Sequence, residues 1–122
     1  MSTILNDLAS SANLKQTLPP QSYTENLDGD SVDLIASDGC GFAVLLLGQL
    51  GVGTTLAAKL QESSDLVTFV DVPNGAFATF TTGVDTHLLR FTRTHRYVRM
   101  RLALSGTADL CAAIGQQRKE LL

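Results

Sequence analysis

The segment 96–104 alternates without a break. Val98, Met100, Leu102 and Leu104 fall on one side, and Tyr97, Arg99 and Arg101 on the other. A period of two puts alternate side chains on opposite faces of a β-strand, so one face is buried and the other solvated. No helix can use that pattern. The same alternation recurs at 55–62, where Leu56, Ala58 and Leu60 oppose Thr55, Ala57, Lys59 and Gln61, and at 87–92, where Leu89 and Phe91 oppose Leu88, Arg90 and Thr92. Phe42 to Leu47 is apolar on both parities, as a central buried strand would be.

Turn signals separate these runs. Asn26-Leu-Asp-Gly-Asp30, Ser37-Asp-Gly-Cys-Gly41, Gly48-Gln-Leu-Gly-Val-Gly53, Ser63-Ser-Asp65, Pro73-Asn-Gly75 and Ser105-Gly106 each break a pattern. Between them lie shorter strand candidates at 22–25, 32–36 and 67–72. Residues 76–86, with Phe77 and Phe80, suit a short strand or an ordered loop. Residues 109–122 would also make a helix, but Gly115 and the preceding turn favour a strand with a polar tail. The expected fold is all-β: an antiparallel β-sandwich or jelly-roll-like domain of about seven to nine short strands. Residues 1–20 are polar and small and end at Pro19-Pro20, which favours an extended N-terminal arm lying along a sheet edge or a neighbour. The domain is expected to occupy 21–122.

A chain of 122 residues buries a core without disulfides. Cys40 and Cys111 are expected to be free thiols, one of them a small core residue. No apolar run reaches the length of a membrane span, and the first residues lack the basic start of a secretion signal.

Charge is divided along the chain. Residues 1–85 carry 2 cationic and 10 acidic side chains, a net −8. Residues 86–122 carry 7 cationic and 2 acidic side chains, a net +5, and the whole chain is −3. The cations concentrate at Arg90, Arg93, Arg96, Arg99 and Arg101, with Tyr97 among them. Guanidinium groups suit bidentate contact with carboxylates or phosphates. Aromatic interleaving is thin and the overall charge negative, so carboxylate partners are expected rather than nucleic acid. The acidic half of a second copy is one such partner. With the arm, these residues form the expected interface: Pro19, Pro20, Arg90, Arg93, Arg96, Tyr97, Arg99 and Arg101.

Motifs for catalysis are weak. The glycines at 48–53 lack the lysine of a phosphate loop and precede a strand rather than a helix. His87 and His95 would approach each other if their strands form a hairpin, with Asp85 as the nearest third metal ligand, but surface histidines explain both. No Gly-x-Ser-x-Gly elbow occurs. Asp28 and Asp30 read as turn residues. No catalytic, cofactor-binding or metal site is expected.

Taken in order, Leu5-Asn-Asp-Leu-Ala9, Gln16-Thr-Leu-Pro-Pro20, Gly29-Asp-Ser-Val-Asp-Leu34, Lys59-Leu-Gln-Glu-Ser-Ser-Asp65, Phe69-Val-Asp-Val72, Arg96-Tyr-Val-Arg99 and Gly115 with Arg118 form a succession. It resembles small structural proteins from the head genes of tailed bacteriophages and prophages. It departs from them at Arg93-Thr-His95, where a glycine-containing lead-in is usual, and in a less valine-rich segment 109–114. The resemblance implies a virion component of β-sandwich type, made in the host cytoplasm and carried on the capsid surface. Its preferred role is a capsid decoration (cement) protein, a homotrimer bound to the major capsid protein, with no cofactor, nucleic acid or membrane partner. A neck or tail component, and a carbohydrate- or host-surface-binding β-sandwich module, are the alternatives; the latter is disfavoured because sugars stack on exposed aromatics and the chain has no tryptophan and only Tyr23 and Tyr97 as tyrosines.

Overall fold

The computed structural model describes residues 12–34 and 40–117. Among them are nine strands and no helix: β1 (Ala12–Tyr23), β2 (Leu27–Asp28), β3 (Val32–Asp33), β4 (Cys40–Leu50), β5 (Thr55–Ser63), β6 (Val70–Ala76), β7 (Asp85–Thr92), β8 (Tyr97–Ser105) and β9 (Ala108–Gln117). Every pairing is antiparallel. Sheet I has the order β1-β9-β4-β7, and sheet II the order β2-β8-β5-β6, with β3 also on β8. From β3 onward the chain changes sheet at every connection except β5–β6. With β2 and β3 sharing one position, this is the strand order of a jelly roll.

The core lies between the sheets and follows strand parity. Sheet I contributes Leu18, Ala43, Leu45, Leu47, Leu110, Ala112 and Ile114, and sheet II Leu56, Leu60, Val98, Met100, Leu102 and Leu104, all buried. Burying one such aliphatic side chain stabilises by roughly 1.5–3 kcal/mol, so these faces set the register of the sandwich. β4 departs from its expected double burial. Leu45 is fully buried, but Leu46 on the other parity is 47% exposed, because sheet I has no layer over its outer face among the described residues.

Residues 12–20 of the expected arm form most of β1, which lies at the edge of sheet I and runs past Pro20 to Tyr23 against β9. Residues 1–11 lie outside the described residues. The prolines fall at a bulge: Leu18 pairs with Ala112 and Gln21 with Leu110, leaving two residues of β1 opposite one of β9. An edge-strand bulge is where missing N–H donors are tolerated. Tyr23 folds its buried hydroxyl back and donates to the Pro19 carbonyl at 2.6 Å.

Two turn signals resolve differently from expectation, while the strand expected after Ser105-Gly106 is present. Gly48 to Leu50 extend β4, and the turn follows them. Pro73-Asn-Gly75 is a bulge within β6, where Lys59 pairs with Ala76 and Gln61 already with Asp71; Asn74 takes a left-handed φ of 58°. Residues 109–117 are strand, and 118–122 lie outside the described residues. Gly29 sits where β1 and β8 converge. Its N–H donates to the Met100 carbonyl at 2.7 Å, and a Cβ there would fall 2.6 Å from the Thr17 carbonyl oxygen. Both cysteines are free; Cys40 is exposed and Cys111 half-buried, so neither is the core residue expected.

Parity in β4 is open to a direct test. Leu45→Ala should lower unfolding free energy by about 2–5 kcal/mol, while the neighbouring Leu46→Ala should cost about 1 kcal/mol or less in dilute solution. Denaturant titration of the two variants reads this, and equal losses would contradict the parity.

Candidate interaction surfaces

The five arginines do not form one strip. β7 belongs to sheet I and β8 to sheet II, so the two strands do not pair, and the expected hairpin is absent. A β-sandwich of this topology crosses between layers at 93–96. Arg90 is therefore on the outer face of sheet I, Arg99 and Arg101 on that of sheet II, and Arg93 and Arg96 at the crossing. His87 and His95 are separated in the same way. His87 stacks on Phe80, with ring centroids 4.3 Å apart, and its Nε2 is 3.8 Å from Asp85. No group of three or more His, Cys, Asp or Glu placed to hold a metal ion occurs among the described residues.

The outer face of sheet II is a connected band of charge. β2 and β3 pair with β8 and bring acids of the first half beside arginines of the second. Arg101 forms an ion pair with Asp28, and Arg99 Nη2 lies 3.4 Å from the same carboxylate. Arg99 also donates to Gln61 Oε1 from Nε (3.2 Å) and Nη2 (2.9 Å), with its guanidinium carbon 3.7 Å from the Phe69 ring centroid. Gln61 Nε2 donates to Asp71 Oδ1 at 3.2 Å, and Lys59 Nζ to Asp71 Oδ2 at 3.1 Å. At the crossing Arg96 makes a bidentate pair with Asp33, at 2.9 and 2.7 Å, and lies over the Tyr97 ring. Arg93 donates to the His95 carbonyl at 3.2 Å. Carboxylates do meet these arginines, but they belong to the same chain.

One acid escaped notice in the sequence. Glu62, next to last in β5, has the same parity as Leu56, Ala58 and Leu60 and is as buried as they are. That parity was the available signal. Its Oε1 accepts from the backbone N–H of Thr94 (2.8 Å) and of His95 (3.1 Å), and its Oε2 from the Thr94 hydroxyl (2.8 Å). His95 Nδ1 is 3.3 Å from Oε2. Burial pushes the carboxyl pKa up, but the donors from Thr94 and His95 outweigh it and hold it below the ordinary glutamate value. Glu62 thereby fastens the β7–β8 crossing to sheet II.

The outer face of sheet I is apolar. Register places Leu14, Gly115, Phe42 and Arg90 in one row across β1, β9, β4 and β7; Gln16, Ala113, Val44 and Leu88 in the next; and Cys111, Leu46 and Thr86 in a third. Leu14 is 56% exposed and Leu88 65%. An open groove at the third row is lined by Pro20, Leu46, Asp85, Thr86, Asp109 and Cys111. Pro19 and Pro20 are exposed beside it. Of the two tyrosines considered for stacking on sugars, Tyr23 is 4% exposed and belongs to the core; Tyr97 is half-buried under Arg96.

No protein-family model and no curated protein sequence matches the chain. Solved structures do share its fold. A prophage-derived protein, YomS of the SPBc2 prophage, superposes with a TM-score of 0.53 at 6% identity, over 86% of this chain and 95% of that one. The VP2 protein of infectious bursal disease virus, in a subviral particle, superposes with a TM-score of 0.52 at 13% identity, over 87% of this chain and 33% of VP2. A carbohydrate-binding module of Cellvibrio mixtus lichenase 5A reaches 0.45 at 12% identity, over 89% of each chain. The two-sheet fold of this chain is thus shared with the prophage protein and with part of VP2.

The lowered pKa of Glu62 sets a pH dependence. Its folded value lies below its unfolded value, so its contribution to stability is present above the ordinary glutamate pKa of 4.5 and is lost as pH falls through the folded value. Thermal melts between pH 6 and about pH 3 should show this loss. Glu62→Gln should be less stable at neutral pH and lose less on acidification than the parent. A variant with the parent's full acid sensitivity would remove Glu62 as the cause.

Proposed function

We propose that the chain is a virion structural protein without enzymatic activity, and within that class a capsid decoration protein held on the head shell of a tailed phage. The observation that carries this reading is the superposition on a prophage-derived protein over nearly the whole of both chains. The likeness to a capsid protein of a virus particle is of the same kind. A shared fold alone leaves function open, so the surface must add to it.

The face of sheet II is suited to sustained contact. Arg96, Arg99 and Arg101 are already oriented by Asp33, Gln61 and Asp28, so little side-chain entropy remains to be lost on docking. A guanidinium has five N–H donors, and these pairs leave some for a carboxylate on a shell subunit. Tyr97 beside them supplies an amphipathic anchor, and arginine and tyrosine are the types enriched where interface energy concentrates. Partial self-neutralisation also keeps the isolated protein from adhering indiscriminately to anions. Attachment would therefore depend on shape and on charge together.

Co-sedimentation with emptied head shells of the parent phage or prophage tests the reading. Binding should saturate at a fixed ratio to shell subunits and weaken as salt rises. Replacing Arg96 and Arg101 together by Ala should weaken it about tenfold, roughly 1.4 kcal/mol, and free Asp33 and Asp28 to repel an acidic shell. Failure to bind shells at any salt, or attachment only to neck or tail particles, would overturn the decoration role.

A further inference from the structure

We propose that a second groove, at the end of sheet I where β4 begins and β7 ends, captures an extended peptide segment of a partner protein by holding one of its carboxylate side chains on Arg90. Arg90 differs from the other four arginines of 90–101. Arg93 donates to the His95 carbonyl, Arg96 to Asp33, Arg99 to Gln61 and Arg101 to Asp28. Arg90 makes no hydrogen bond or ion pair among the described residues. It is exposed and lines a groove of about 580 Å³. No acid and no second cation line that groove with it. Glu62, behind the Thr94 wall, is buried and already accepts from Thr94 and His95.

The rest of the lining suits a peptide. Phe42 pairs with Arg90 across β4 and β7, so a group held by the guanidinium lies within a side chain's length of the ring. Phe91 adds apolar surface from the inward parity of β7. Gly41 pairs with Phe91, and a Cβ there would come within 2.7 Å of the Phe91 ring, so the missing side chain gives that ring its place. Across the groove stands the β6 bulge, where Asn74 is held at a left-handed φ of 58°. Asn74 and Thr92 offer neutral donors and acceptors to a peptide backbone. Thr94 is fixed in the wall by its bonds to Glu62.

Charge and shape choose among ligands. A single guanidinium matches a single carboxylate, which its parallel N–H groups hold bidentately. A phosphate-bearing chain would meet one cation where it needs several. A sugar needs a flat, exposed ring to stack on, but Phe91 is 6% exposed and Phe42 half-buried. The groove is also half open to solvent. A small free acid would bury only part of its surface there, short of the roughly 70–90% usual for small ligands. An extended segment gains contacts on both sides of its acid. The site lies apart from the outer face of sheet II, so the inference goes beyond the decoration role.

NMR titration of the isotope-labelled full chain with the peptide acetyl-Ser-Leu-Ser-Glu-Ser-amide tests the proposal. Its Leu and Glu are two residues apart, so both face the groove when the peptide is extended. Backbone signals of residues 40–42, 73–75 and 90–94 should shift and saturate, with a dissociation constant on the order of 1 mM. Arg90→Gln should weaken binding about tenfold without changing the thermal melt, and a peptide with Gln in place of Glu should lose about as much. The two changes together should cost little more than either alone, because they remove the same contact. Alkylating Cys40, which is exposed and lines the groove, in a Cys111→Ser chain should block binding. No saturable shift up to about 10 mM peptide overturns the proposal. So does a response confined to other residues, or an Arg90→Gln chain that binds as the parent does. Acetate that saturates the same signals with the peptide's affinity overturns it too, by marking an anion site only. The titration uses no shells, so its failure leaves the decoration role standing, and failure to bind shells leaves the groove standing.

Discussion

β8 governs the arrangement of both surfaces. Its inward side chains, Val98, Met100, Leu102 and Leu104, lie at the centre of the core, while Arg99 and Arg101 are forced outward on the same strand. Two guanidiniums two residues apart on one face repel each other unless an anion sits between them. Asp28 on β2 does so, reached only because β2 pairs with β8. Four buried aliphatic side chains at roughly 1.5–3 kcal/mol each far outweigh exposed ion pairs worth about 0–1 kcal/mol each. Core burial therefore decides the strand's orientation, and the charge band follows from it.

The topology then divides the molecule into unlike halves. Because 93–96 crosses from sheet I to sheet II, most of the cations settle against acids from the front of the chain, and Arg90 is left on the other layer. One outer face is polar and largely self-satisfied. The other is largely apolar among the described residues, with Arg90 in one end row and Thr86 in the other. Glu62 makes this division rigid, since a buried carboxylate with three donors from Thr94 and His95 fixes the crossing at the point where the layers separate. A single chain thus presents two surfaces suited to partners of different chemistry.

Local pattern in the sequence carried most of the strand content. Period-two alternation at 55–62, 87–92 and 97–104 translates directly into inward and outward faces, because parity is a property of the strand alone. The sheet to which each strand belongs is not local. Consecutive strands usually pair, which made a β7–β8 hairpin the natural expectation; here the twist and closure of two layers send neighbours in sequence to opposite sheets. That single nonlocal fact dispersed the arginine group and set Arg96, Arg99 and Arg101 beside acids or amides of the same chain. Glu62 was masked by residue type, although its parity matched the core. Pro73-Asn-Gly75 reads as a turn because a bulge and a turn use the same residues to reach a left-handed φ. The apolar exterior of β4 was mistaken for burial, since alternation shows that a face is apolar and not what lies against it.

The position of β9 has a consequence for assembly of the fold. It lies between β1 and β4, pairing with both, yet it is the last of the nine strands among the described residues. During synthesis the earliest strand must wait, unpaired on that side, until the latest one emerges, and β4 must keep a vacancy beside it for the same period. Sheet closure is then a late event built on contacts distant in sequence, which is slow compared with hairpin growth. In that interval the apolar edges are open to other nascent copies, so a cell making this protein in bulk would depend on its chaperones to keep unfinished chains apart.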